Sequence, residues 1–152
     1  MYGDKGNVPE QEYLIPIGKS NVVHEGNDVT LVSFGKMMKV AEETFNVAKK
    51  ENISVEVIDL RSVRPIDYDS IVKSVKKTNR LVIIEEAWPL ASISSEISHH
   101  IQRFAFDYLD APVHRITCED VPFHYAPTLI KEILPSVEKA MKAIKSVTYK
   151  KN

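Results

Sequence analysis

VEVIDLRSVRPIDYDSIVKSVKKTNRLVIIEEAWP, residues 55–89, decides the fold. Its two ends, VIDL and LVIIEE, are apolar on both faces, as strands covered by helices on both sides must be. Between them Tyr68, Ile71, Val72 and Val75 recur at the spacing of an amphipathic helix, with Asp67 placed to cap its first turn. Strand, helix, strand at this spacing predicts parallel strands joined by a right-handed crossover.

The alternation continues in both directions. Upstream, VTLVSF (29–34) reads as a strand, and Met37, Val40, Ala41, Thr44 and Ala48 fall on one helix face. The strand reading of the middle segments runs over ISVEVIDL (53–60) and RLVIIEE (80–86). Downstream, Ile93, Ile97, Ile101 and Phe104 repeat the helical pattern, and APVHRIT (111–117) is β-branched and strand-like. Pro135 and Ser136 open a last helix carrying Val137, Ala140, Met141 and Ile144. Ahead of the first parallel strand, the stretch from Tyr13 predicts a short edge strand and a turn at Glu25-Gly26-Asn27-Asp28. The fold class expected is α/β: a three-layer α/β/α domain with a mixed, mostly parallel sheet of about five strands. Residues 1–12, with Gly3, Gly6 and Pro9 among charged residues, read as an interdomain linker or arm, and residues 13–152 as one domain.

Composition excludes several partners. The 20 basic and 21 acidic residues leave a formal charge of -1, so no basic field points to nucleic acid or an anionic membrane. No apolar run approaches the roughly 20 residues of a membrane span. Cys118 is the single cysteine, which rules out an internal disulfide and fits a reducing compartment. The polar N-terminus lacks the apolar core of a signal peptide and the arginines of a transit peptide, so a cytoplasmic location is expected.

The candidate chemical motifs are few. Gly18-Lys19-Ser20 resembles the end of a phosphate loop, but that loop needs glycine where Tyr13 stands, so a turn beside an edge strand is expected. No G-x-G-x-x-G exists. His99 and His100 are adjacent and point about 100° apart on a helix, while His24, His114 and His124 are scattered, so a metal site is not expected. Cys118 lacks a neighbouring base and reads as an inert thiol. Glu85 and Glu86 close a strand and point to opposite faces; a carboxylate there can accept from the amides that start the next helix. Trp88 then offers area for a subunit contact. Arg61 and Arg64 follow another strand end, where two arginines can bind an anionic ligand; with no glycine-rich loop beside them, pairing with nearby carboxylates and helix entry at Asp67 is the favoured expectation. Asp107, Asp110 and Asp120 lie in proline-rich loops that suit the docking of a basic partner.

In order, the chain carries YLIPIGK (13–19), a Glu-Gly turn into VTLVSFG (29–35), VEVIDLRSVRPID (55–67), KTNRLVIIEEAWP (77–89), FDYLDAP (106–112), DVPFHYAP (120–127) and LPS (134–136). This series resembles the C-terminal, transketolase-like domain of the beta subunit of the decarboxylating component of pyruvate dehydrogenase-type 2-oxoacid dehydrogenases. The resemblance implies an alpha–beta heterotetramer that decarboxylates pyruvate on thiamine diphosphate with Mg²⁺ and passes the acyl group to a lipoyl-bearing acyltransferase. It places the cofactor site and the catalytic residues outside these 152 residues, so the chain is expected to bind no cofactor and to be inactive alone. The domain is expected to join a second beta subunit through the region of Trp88 and the 92–106 helix, to meet the alpha subunit, and to dock the subunit-binding domain of dihydrolipoamide acyltransferase. Asp110, just before Ala-Pro, is the docking residue by position. Three departures stand out: Leu90-Ala91-Ser92-Ile93 where glycines are usual, His124 for proline, and the ending Tyr149-Lys150-Lys151-Asn152 in place of an apolar last residue. Rival readings are a branched-chain or acetoin dehydrogenase beta subunit, the matching domain of transketolase or deoxyxylulose-phosphate synthase, and a free-standing regulatory module using the crevice near Glu85, Glu86 and Arg64. The LDAP and DVP segments argue against the transketolase reading.

Overall fold

A computed structural model describes residues 5–7 and 9–150. The sheet contains β1 (Asn21–His24), β2 (Val29–Ser33), β3 (Val55–Asp59), β4 (Leu81–Ile84) and β5 (His114–Ile116), in the order β1-β3-β2-β4-β5. Strands β3, β2, β4 and β5 are parallel, and β1 runs antiparallel along the β3 edge. The mixed five-stranded sheet is the one expected. The helices are α1 (Met38–Lys50), α2 (Tyr68–Thr78), α3 (Ile93–Phe104), α4 (Pro127–Ile133) and α5 (Val137–Val147).

The parallel strands alternate their side chains between two cores. Val29, Leu31, Val55, Val57, Val82 and Ile84 face α1 and α5, where Ala41, Ala48, Ala140 and Ile144 close over them. Val32, Ile58, Ile83 and Leu81 face α2 and α3, where Ile71, Val75, Ile97 and Ile101 do the same. This is why VIDL and LVII carry no polar face. Fully burying one such aliphatic side chain contributes about 1.5–3 kcal/mol, so each core is a large favourable term.

The caps follow the sequence. Asp67 accepts from Ser70 N and also from the N–H of Ser20 at 3.0 Å, so one carboxylate starts α2 and pins the chain ahead of β1. Ser136 accepts from Lys139 N at the start of α5, as expected. Asn79, left-handed at φ 61°, ends α2.

Several expectations need correction. The leading strand does not begin at Tyr13: residues 13–17 are exposed and irregular, and pairing starts at Asn21. Pro16 has no N–H to give a ladder, and Gly18 turns the chain at φ 75°. The last strand shrinks to three residues because Pro112 precedes it. Phe104 is 56% exposed; the i+4 step from Ile101 lands on Ala105, which takes the buried position. Helix α4 was not anticipated: only Ile133 of its seven residues is buried, so it has almost no amphipathic signal. The linker reading of residues 1–12 falls partly on residues 1–4 and 8, outside the described residues.

At Gly26 the backbone touches its neighbour strand. A Cβ there would overlap the main chain of Val55 and Glu56. Gly26→Ala is therefore expected to cost about 2–4 kcal/mol in urea unfolding, because main chain cannot yield as a side-chain tip can. Asp67 supplies a pH signature. Burial works to raise its pKa, but the bonds from Ser20 and Ser70 outweigh it and hold the carboxyl below its ordinary value. A lowered folded value means stability that is complete above about pH 4 and is lost as pH falls through the folded value. Asp67→Asn should flatten that acid limb in urea midpoints taken across the acid range.

Candidate functional site

The expected partner-binding residues sit at opposite ends of the sheet. Asp110 precedes β5, at the amino end of the parallel strands, whereas Trp88 follows β4 at their carboxyl end.

At the amino end, Asp110 accepts from Arg80 Nη2 through Oδ2 at 3.0 Å, and its side chain remains 54% exposed. Its own N–H donates to Asn79 O, and Tyr149 Oη donates to its carbonyl at 2.8 Å. Asn79 also ties Tyr108 O, so the helix end, the LDAP loop and the C-terminal segment form one unit. Beside the carboxylate lies a hollow of about 290 Å³ lined by Gln102, Phe106, Leu109, Asp110, Ala111 and Pro112. Lys76 lies over the Tyr108 ring at 4.8 Å. Arg80 leaves Oδ1 without a partner among the described residues, so the loop presents a rigid, half-neutralised carboxylate beside an apolar hollow. Such a group can accept one further basic side chain. The sequence did not reveal Arg80 because the pair depends on the β4–β5 register, in which Val82 lies opposite His114. Of the chain's last residues, 151 and 152 lie outside the described ones.

At the carboxyl end, Glu85 is buried and Glu86 exposed, as their alternation required. Glu85 Oε1 accepts from the backbone N–H of Ser94 at 3.0 Å and from its hydroxyl, while Oε2 is buried without a partner. Ser94 is in the first turn of α3, so Glu85 meets the positive end of that helix. The structural role expected for this carboxylate is the observed one. Arg115 completes the loop by donating to Pro89 O at 3.1 Å and to Ser95 Oγ. Trp88 is 51% exposed; its indole N–H donates to Val121 O at 3.0 Å, and its ring meets Phe123 with centroids 6.3 Å apart. Cys118 is buried, and burial and then Glu86 push its thiol pKa up, the reverse of what a nucleophile needs.

The remaining candidates stay apart. Among the described residues the guanidinium groups of Arg61 and Arg64 form no ion pair, and the backbone N–H of Arg61 binds Asp59. Asp67 does start the helix after them. His24 binds Glu42 at 2.7 Å and stacks on Phe45. His100 stacks on Tyr68, and burial lowers its pKa. Among the described residues no three His, Cys, Asp or Glu gather in a way that could hold a metal. No helix among them is long and apolar enough to cross a membrane. A hollow of about 610 Å³ runs between β5 and α5 past Ile116, Cys118, Lys139 and Lys142.

Residues 18–140 match the family model described as transketolase, C-terminal domain. The chain is 44% identical over 149 residues to the pyruvate dehydrogenase E1 component subunit beta of Rickettsia felis, which covers 98% of this chain and 46% of that one. It is also 44% identical over 138 residues to the beta subunit of acetoin:2,6-dichlorophenolindophenol oxidoreductase of Bacillus subtilis, covering 91% of this chain and 40% of that one. The chain thus spans less than half the length of these curated relatives. Among solved structures, an inactive beta4 tetramer of a split-gene transketolase superposes with a TM-score of 0.80 over 91% of this chain and 45% of its own, at 24% identity, a likeness of fold.

Glu85 offers a direct test of the loop that carries Trp88. Glu85→Ala removes the acceptor at the start of α3 and leaves a cavity, so it should cost about 2–4 kcal/mol in chemical denaturation. The loss should be accompanied by faster hydrogen exchange at Ser94 and Ser95.

Proposed function

Because the chain belongs to the transketolase C-terminal domain family, we propose that it is the C-terminal domain of a pyruvate dehydrogenase beta subunit, serving assembly while the reaction proceeds elsewhere in the enzyme. The observation that carries this reading is the 44% identity to the Rickettsia felis beta subunit across nearly all of this chain. In the whole enzyme, thiamine diphosphate with Mg²⁺ would supply the electron sink for decarboxylating pyruvate. The described residues do not fit that group, since they bring no cluster of metal ligands together and no glycine-rich loop opens a helix. The work left to this chain is to hold proteins together.

Asp110 is the proposed docking residue. Arg80 holds the carboxylate while Asn79 and Tyr149 hold the backbone of Asp110, so the group is largely ordered before the partner arrives, which lowers the cost of binding. The partner it fits is the basic subunit-binding domain of a dihydrolipoamide acyltransferase. Helix α3 presents an aromatic edge, with His100 stacked on Tyr68 of α2 and tilted against Phe104, and this edge is the proposed contact with a second beta subunit. The alpha subunit is the third proposed partner, and the proposed location is the cytoplasm. A second reading is the acetoin enzyme, favoured by the equal identity to the Bacillus subtilis beta subunit. Both readings give this domain the same task.

Calorimetry tests the assignment. The chain should give no heat with thiamine diphosphate and Mg²⁺, and should bind the subunit-binding domain. Asp110→Lys should weaken that binding about ten-fold or more at low salt, with a smaller difference at high salt. Equal affinities for the two forms at low salt would refute the docking role of Asp110.

A further inference from the structure

The carboxyl end of the sheet carries an apolar surface that the domain itself does not use. Leu90 is 83% exposed and Tyr125 is fully exposed, beside the half-exposed Trp88 and Phe123. Residues 87–95 and 121–130 contain no Asp, Glu, Lys or Arg. Every residue from Glu119 to Leu129 is exposed, so this segment adds almost nothing to either core. Yet the surface is held in shape: Trp88 donates to Val121 O, and Arg115 and Glu85 fix the loop before α3. Glu86, Glu119 and Asp120 are exposed at its margin, so a rigid apolar centre carries a charged rim; single exposed apolar residues are ordinary, but such a group marks a buried interface.

The path of the chain says what covers it. Strand β1 is antiparallel to β3, with Asn21 opposite Asp59, so the residues ahead of β1 emerge at the carboxyl end of the parallel strands. There Gly18 packs against Pro65, and Ile17 is 85% exposed. The curated relatives are more than twice as long as their matched part, and the matched family is a C-terminal domain. A domain preceding residue 13 would therefore be tethered beside this surface, at high effective concentration.

We propose that the surface built by Trp88, Leu90, Phe123 and Tyr125 is the seat of the folded domain that precedes this one in the longer chain, through an apolar face of that domain. The proposal rests on the beta-subunit reading for the existence of that neighbour; it gives Trp88 to that neighbour in place of the second beta subunit expected from the sequence, and it is distinct from the Asp110 dock and from the His100–Phe104 edge.

The test compares the 152-residue chain with a chimera in which it replaces the matched part of the Rickettsia felis beta subunit. Amides in 87–92 and 121–126 should exchange at least about ten-fold more slowly in the chimera, while Asp110 and Ala111 stay unchanged. Leu90→Asp with Tyr125→Asp should abolish that protection and leave the melting temperature of the 152-residue chain unaltered, since both side chains are exposed. Equal exchange in chimera and isolated chain overturns the proposal. So does protection that grows with concentration in the isolated chain and disappears in the double variant, which would assign the surface to a second copy. A chimera that folds only with the double substitution also overturns it, because the native surface would then be harmful there. Loss of acyltransferase binding leaves these readouts untouched, so the two readings fail separately.

Discussion

The burial of both faces of a parallel sheet governs this molecule. A strand such as Leu81–Ile84 has no side that tolerates water, so helices must lie above and below it. That requirement fixes the crossover path, and with it the ends at which the connecting loops emerge. Loops at the carboxyl end join strand to helix, as Glu85–Ser92 does. Those at the amino end join helix to strand, as Asn79–Arg80 and Ala105–Val113 do. The division of surfaces follows from topology before any side chain is considered.

The two ends then take different chemistry. At the amino end, charges are half-exposed and paired, as with Arg80 and Asp110. An exposed pair of this kind contributes little to stability, about 0–1 kcal/mol, so its position matters more than its strength. At the carboxyl end, Glu85 lies buried beneath apolar loops, while Glu86, Glu119 and Asp120 are exposed around them. Glu85 is wholly buried and Arg115 largely consumed by Pro89 and Ser95, while Trp88 and Leu90 look outward. Burying these polar groups is tolerable there because a helix terminus and several hydroxyls receive them.

Much of this was legible in the residues themselves. Apolar β-branched runs gave the four parallel strands and periodicity four of the helices, since each helix buries a repeating set such as Ile71 and Val75 or Ala140 and Ile144. Capping by Asp67 and Ser136, and the helix contact of Glu85, followed from short-range rules that need only adjacent residues. What stayed hidden depends on register or on a lack of burial. Arg80 and Asp110 are thirty positions apart and meet only because two strands align. Helix α4 buries one residue, so no periodic pattern announces it. Phe104 misled because a helix of period 3.6 turns away from an i+3 position by the time the stripe has been served by Ala105.

The bond from the Trp88 indole to Val121 O joins the loop after β4 to the loop after β5. It extends the tie already made by the Cys118 N–H to Ala87 O, beyond the point where the two strands have ended. Trp88 is also the sole tryptophan of the chain. Its emission is consequently a local optical probe, sensitive to the wetting of one pole of the domain and blind to events around the other.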